Sequence, residues 1–309
     1  MEFRTELHVN PSGLDLDYSS GMMMMGSCFA ENIGHILQDH RLPVKFNSHG
    51  ILFNPISIGS AMDDILSGKK YTLEDLRYFN GKYISMQHHG RFSSPDANET
   101  LKAINDSNKD FSDHLKVCKV LFITFGSAYA WRLKSNQKIV ANCHKIPQSE
   151  FEKVLIEHTE IEVSYASLFS QIKKLNPGIQ FVLSVSPVRY FRDGIIANNL
   201  SKSHLLIASH YLSKEKGVHY LPAYEWVVDD LRDYRFFKED MVHPNDQAIQ
   251  YVWEKFLGWS MKTDVINKIK KVSELCRALQ HKAKLNDSID EQARKEALLA
   301  KIDEIIRSN

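Results

Sequence analysis

The 309-residue chain has almost no net charge: 39 Lys and Arg stand against 38 Asp and Glu, a formal +1. Such a balance gives no global field toward nucleic acid or an anionic membrane, so neither is expected as a partner. Cysteine is scarce. Cys28, Cys118, Cys143 and Cys276 lie far apart without C-x-x-C spacing, which disfavours a zinc knuckle and a small disulfide framework. Long hydrophobic runs are missing, since Gly21 to Met25 and Val120 to Gly126 fall well short of the roughly 20 residues of a membrane-spanning helix. Met1 to Pro11 carries Glu2, Arg4, Glu6 and His8 and has no apolar h-region, so a cytoplasmic chain is expected. There is no internal repeat and no low-complexity tract.

What is present is an ordinary globular composition, 43% hydrophobic and 25% charged, arranged as apolar strand-like runs alternating with amphipathic helical stretches. Gly21 to Gly26 reads as a buried strand, with the Met22–Met25 run as core, followed by a turn at Ser27 and a helix with Phe29, Ile33, Ile36 and Leu37 on one face. Pro43 to Phe46 reads as a second strand, and Asn54-Pro55 as the start of a second helix. The polar stretch 67–116 reads as an insertion. Val117 to Gly126 and Phe181 to Pro187 read as central parallel strands, Val218 to Pro222 as a last strand, and Asp246 to Leu257 as a closing helix. The order predicts an α/β domain over 1–260. Beyond it, 261–309 reads as a helical extension of two antiparallel helices broken at Asn286-Asp287; its apolar stripe, Val265, Ile269, Val272, Leu275 and Leu279, either packs on the domain or pairs two copies as a homodimer.

Two segments carry candidate chemistry. Ser27 sits on a strand-to-helix turn, where a helix N-terminus offers unpaired N–H groups; a serine there is either a nucleophile or an N-cap. Asp240-Met-Val-His243 can supply an imidazole that takes the hydroxyl proton and a carboxylate that fixes its tautomer; alternatively both residues cap the following helix. Cys28 is a rival nucleophile, expected instead to point into the packing between helix and sheet. His49, His88 and His89 show no H-x-x-x-H spacing, and no metal is expected.

Taken together, Gly26-Ser27-Cys28-Phe29-Ala30, Gly50-Ile-Leu-Phe-Asn-Pro55, Asn142-Cys-His-Lys145, Ser186-Pro-Val-Arg189 and Asp240-Met-Val-His-Pro244 resemble the ordered motifs of the GSCFA family, over about Met22 to Trp259. That family is grouped with the SGNH, or GDSL-like, hydrolases. The resemblance implies a three-layer α/β/α, flavodoxin-like fold with a parallel sheet. It also implies a catalytic triad of Ser27, Asp240 and His243, with oxyanion donors at the Ser27 and Gly50 N–H groups. The family's third donor, an Asn after the third strand, has no counterpart in Ser127-Ala128-Tyr129; Asn142 is the substitute, or else a turn residue. His89 is read as a substrate contact or a turn residue. Arg189, at a strand's C-terminal edge where open α/β sheets bind ligands, either holds a substrate carboxylate or sugar or pairs with Asp193.

The expected function is therefore a cofactor-free serine esterase acting on a small-molecule or carbohydrate O-acyl ester. An acyltransferase on the same triad and a non-catalytic ligand-binding protein are the alternatives.

Overall fold

The computed structural model describes residues 5–282 and 289–308, with side chains outside 280–291. In chain order the elements are β1 (Met22–Gly26), α1 (Cys28–Asp39), β2 (Val44–Phe46), α2 (Pro55–Ser67), β3 (Arg77–Phe79), β4 (Lys82–Ile84), α3 (Ala97–Leu115) and β5 (Val120–Phe125). There follow β6 (Tyr129–Leu133), β7 (Ile139–Val140), β8 (Phe151–Leu155), α4 (His158–Leu175), β9 (Gln180–Val185) and α5 (Ile195–Leu212). The chain ends with β10 (Val218–Tyr220), α6 (Ala223–Glu225), α7 (Asp246–Ser260), α8 (Thr263–Lys282) and α9 (Ile289–Arg307).

Five strands form one parallel sheet in the order β10-β9-β5-β1-β2, the doubly wound, flavodoxin-like arrangement. Strand periodicity explains the layers. Met23 and Met25 join Leu121, Ile123, Phe181 and Leu183 under α2, α3, α4 and α5, whereas Met22 and Met24 join Val120, Phe122 and Val182 under α1 and α7. The methionine run is core on both faces, each residue at most 3% exposed.

Two small antiparallel units lie outside the layers. One is the β3–β4 hairpin; the other is the three-stranded sheet β7-β6-β8 between β5 and α4, which shares a small core of Ile84, Val140, Ile146 and Phe151 with the first. The second unit is not anticipated from the sequence. Within 67–116, α3 belongs to the layers, for Phe111 and Leu115 sit in the main core. The C-terminal helices pack on the domain and on each other: Ile269 reaches the core under α1 and α7, Val272 and Cys276 meet Ile302, and Lys268 bonds the Ser308 carbonyl, which makes the pair antiparallel. The expected break at Asn286-Asp287 lies outside the described residues. Among those residues no helix is long and apolar enough to cross a membrane.

Candidate active site

The order of the parallel strands reverses between β1 and β5, and the ligand crevice of such sheets lies beyond the strands' C-terminal ends. Gly26 closes β1 with φ +136°, and a Cβ there would stand 2.2 Å from the Thr124 carbonyl oxygen, so no other residue fits. Ser27 follows in the N-cap position of α1. Its hydroxyl, however, makes no cap hydrogen bond and has no partner among the described residues, although the residue is only 1% exposed. A serine at this position usually spends its oxygen on the helix N–H groups. Leaving it buried and unpaired costs about 1–3 kcal/mol, which sets this hydroxyl apart from a structural cap.

The histidine side of the site is built locally. Asp240 Oδ1 accepts the N–H groups of Val242 (2.9 Å) and His243 (3.0 Å), and its Oδ2 lies 2.7 Å from His243 Nδ1. The His243 N–H and ring, with the Val242 N–H, hold the Asp240 carboxyl down at about 2, so it is an anion throughout the neutral range. The helix-capping alternative does not hold, because the side chain that caps α7 is Asn245, accepting the Ala248 N–H. The loop is tied to the end of β9 by the Arg189 N–H donating to the Val242 carbonyl (3.0 Å).

Ser27 and His243 line one cavity of about 460 Å³, together with Cys28, Phe53, Gly126 and Arg189 among others. No hydrogen bond joins the hydroxyl to the imidazole, whose side-chain bond runs to Asp240. Cys28 lines the same cavity and is half-buried, rather than pointing into the packing as expected. Burial raises its thiol pKa, so the nucleophilic thiolate is scarce at neutral pH.

The other expected site residues are placed differently. The Ser27 N–H donates to the Thr124 carbonyl (3.2 Å) and the Gly50 N–H to the Asn47 carbonyl (2.8 Å), so both are engaged. Asn142 does not line the cavity. Its N–H donates to the Met86 carbonyl and its Oδ1 accepts the His144 N–H (2.8 Å), which makes it a turn residue on the hairpin side. His89 also lies off the cavity lining; its Nδ1 accepts the Arg91 N–H, and its Cβ would stand 2.2 Å from a Cβ at Gly50, whose φ is +81°. Arg189 lines the cavity but does not pair with Asp193, which bonds Lys153.

Two buried groups escape the sequence reading, Asn47 and Lys202, and a third, the His49–His88 pair, is read there only as a candidate metal site. Asn47, wholly buried, accepts the Gly26 N–H (2.9 Å) on Oδ1 and donates to Glu31 (2.9 Å), fixing the strand end that carries Ser27. Lys202, 2% exposed, donates to the Gly126 (2.7 Å) and Ser186 (2.6 Å) carbonyls behind the cavity wall, and burial pulls its amine down to about 7. Under the Gly50 loop, His49 and His88 stack at 4.2 Å, their Nδ1 atoms against Ser48 and Ser85 hydroxyls; burial holds both below the usual imidazole range. A cation buried behind the apolar run of α5 carries no periodicity signal, and neither does a polar loop that happens to fold inward. Glu157, His158 and His204 bring ligand atoms within 4.8 Å of one another, but none of them lines the cavity.

Fold and crevice thus define a doubly wound α/β protein whose cleft opens where the strand order reverses. Residues 21–256 match the GSCFA family, and the chain belongs to it. Among solved structures it is similar to a family two carbohydrate esterase from Clostridium thermocellum in complex with cellohexaose, at 12% identity and TM-score 0.39, covering 79% of this chain and 66% of that one. It is also similar to an acetyl xylan esterase from the rumen bacterium Butyrivibrio proteoclasticus, at 11% identity and TM-score 0.32, covering 78% and 63%. This chain therefore spans less than two thirds of the length of either. No curated protein matches.

Proposed function

We propose that the protein is a serine esterase in which Ser27 is the nucleophile, His243 the general base and acid, and Asp240 the group that orients and charges His243. The observation that carries this reading is a buried, unpartnered hydroxyl sharing a cavity with an imidazole whose other nitrogen is bound to a carboxylate. His243 Nε2 takes the Ser27 proton as Oγ bonds to the ester carbon, and a tetrahedral oxyanion forms. Collapse expels the alcohol, which leaves with the proton from His243. Water, deprotonated by His243 in its turn, then releases the acid and regenerates Ser27. An alcohol in place of that water makes the same acyl-enzyme a transferase.

The oxyanion needs donors that are not already spent. Because the Ser27 and Gly50 N–H groups are engaged, the next donors along the chain are the first N–H groups of α1, those of Cys28 and Phe29, which lack an intrahelical acceptor and face the Cys28 sulfur, so the oxyanion would take them over from that thiol. The same engagement favours the second reading, a ligand-binding protein without turnover. A fluorophosphonate probe separates the two. The esterase reading expects an adduct on the wild type and on Cys28→Ala, and none on Ser27→Ala or His243→Ala. Absence of wild-type labelling together with inactivity on short acyl esters would overturn the esterase reading in favour of the binding one.

A further inference from the structure

The cavity beside Ser27 is electrically one-sided. Arg189 and Arg192 both line it, and no Asp or Glu does. This is not an echo of global charge, which balances at +1 over the whole chain. Elsewhere the cations near the domain's loops find anions: Arg77 pairs with Glu150 at 2.8 Å, Arg91 with Glu31 at 3.6 Å, and Lys153 with Asp193. Asp193 is the residue next to Arg192 and still goes to Lys153. Neither Arg189 nor Arg192 has an ion pair or a side-chain hydrogen bond among the described residues.

Arg189 is nevertheless held in place. Its guanidinium lies over the rings of Phe191 (4.2 Å), Tyr234 (5.2 Å) and Phe237 (5.6 Å). Ring faces stabilise the cation but accept none of its N–H donors in the plane, so the fork that matches a carboxylate or phosphate stays unspent. Arg189 also lines a second cavity of about 340 Å³ together with Lys202, Arg232 and Asp233; charges of both signs line that one, and the one-sidedness is confined to the cavity of Ser27. The remaining lining near Ser27 is largely apolar, with Ile51, Phe53, Val188 and Val242, and such walls strengthen charge–charge attraction relative to open water.

We infer that the cleft selects an anionic ester, one whose acyl or alcohol part bears a carboxylate or phosphate that Arg189 and Arg192 bind while the ester carbonyl lies at Ser27. The word ester rests on the function proposed above; the anion site rests on the two unpaired guanidinium groups.

The test uses matched probes. Phenyl hydrogen adipate against phenyl hexanoate places the anion on the acyl side. On the alcohol side, 4-acetoxybenzoate and 4-acetoxyphenyl phosphate are set against 4-acetoxybenzamide. Calorimetric binding to full-length Ser27→Ala, which cannot turn them over, is expected to favour the anionic member of at least one set by about tenfold or more, and the favoured set tells which side carries the charge. Arg192→Gln, at an exposed position, should reduce that preference, and Arg189→Gln with Arg192→Gln should bring it within about twofold, circular dichroism verifying that both stay folded. Equal affinity within every set, or a preference that survives the double variant, overturns the inference. Turnover by the wild type is read separately. Selective binding without turnover leaves the anion site standing and removes the esterase; equal kcat/KM on charged and neutral members leaves the esterase and removes the anion site.

Discussion

The two sides of the cleft are built in opposite ways. Ser27 is 1% exposed and is fixed by contacts from distant parts of the chain: the Thr124 carbonyl on its N–H, and Asn47 on the N–H of Gly26. Asp240 and His243 are nearly half exposed, at 47% and 45% of their side chains, and are organised by hydrogen bonds spanning two or three residues. One side is positioned by tertiary structure, the other by a turn. In the mechanism proposed above, a buried Ser27 and an exposed Asp240–His243 turn suit a reaction in which the imidazole must meet the hydroxyl, then the leaving alcohol, then water. The proposed mechanism requires the Ser27 hydroxyl, which has no partner among the described residues, to meet the imidazole when an ester binds.

The contrast breaks most sharply at its two ends. Ser27→Ala and His243→Ala are each expected to lower ester kcat by about 10³-fold or more. Ser27→Ala should leave the melting temperature unchanged or raised, because it deletes an unpaired buried hydroxyl. Loss of activity only alongside loss of fold would erase the distinction between the two sides. Gly26→Ala tests the buried side: with φ +136° and the Thr124 carbonyl in the way, it should cost about 3 kcal/mol or more in urea unfolding. A tolerated alanine would mean that the strand end is not fixed as described.

Asp240→Asn tests the exposed side. It should reduce kcat by about 10²-fold with little change in stability, a smaller loss than at a buried carboxylate because solvent helps to stabilise the imidazolium. The stacked pair under the Gly50 loop gives a pH signature. His49 and His88 have pKa values below the unfolded value near 6.5, so at lower pH the unfolded chain binds more protons than the folded one. Stability contributed above pH 6.5 is therefore lost as pH falls from there toward the folded values. His88→Phe should flatten this decline in urea midpoints; an unchanged slope would show the pair to be solvated.

Lys202 sharpens the comparison in the alkaline direction. Its amine is depressed from 10.5 to about 7, so between those values the unfolded state holds the extra proton and stability rises with pH. The slope is at most about 1.4 kcal/mol per pH unit for one group. The wild type should gain stability relative to Lys202→Met between pH 7.5 and 9, and parallel curves would remove the buried amine from the account.

Periodicity and punctuation made the layered part of the fold legible. The central strands around Met22, Val120 and Phe181 and the Asn54-Pro55 helix start lie where the sequence places them, because fully buried strands are uninterrupted apolar runs and an Asn-Pro pair is a local helix signal. The β6–β7–β8 unit was not legible. Its strands are short and half-polar, and its small core uses Ile84 from another hairpin, a partner that no window of sequence contains. At the site, Asp240-x-x-His243 could be read directly because its bonds are local. Gly50, Asn142 and His89 could be matched to motifs, but where their hydrogen bonds go depends on Asn47, Met86 and Arg91.

What the amino-acid sequence determined by itself was the alternation of strands and helices and the proximity of Asp240 to His243, both set by interactions within a few residues. Tertiary structure alone decided that the Ser27 hydroxyl is left without a partner, that Cys28 shares its cavity, that Lys202 is buried behind the wall, and that Arg189 and Arg192 face the cleft without a carboxylate. The reason is that burial and pairing are properties of segments far apart in the chain, and a side chain's charge or hydroxyl acquires its chemistry only from the neighbours that folding brings to it.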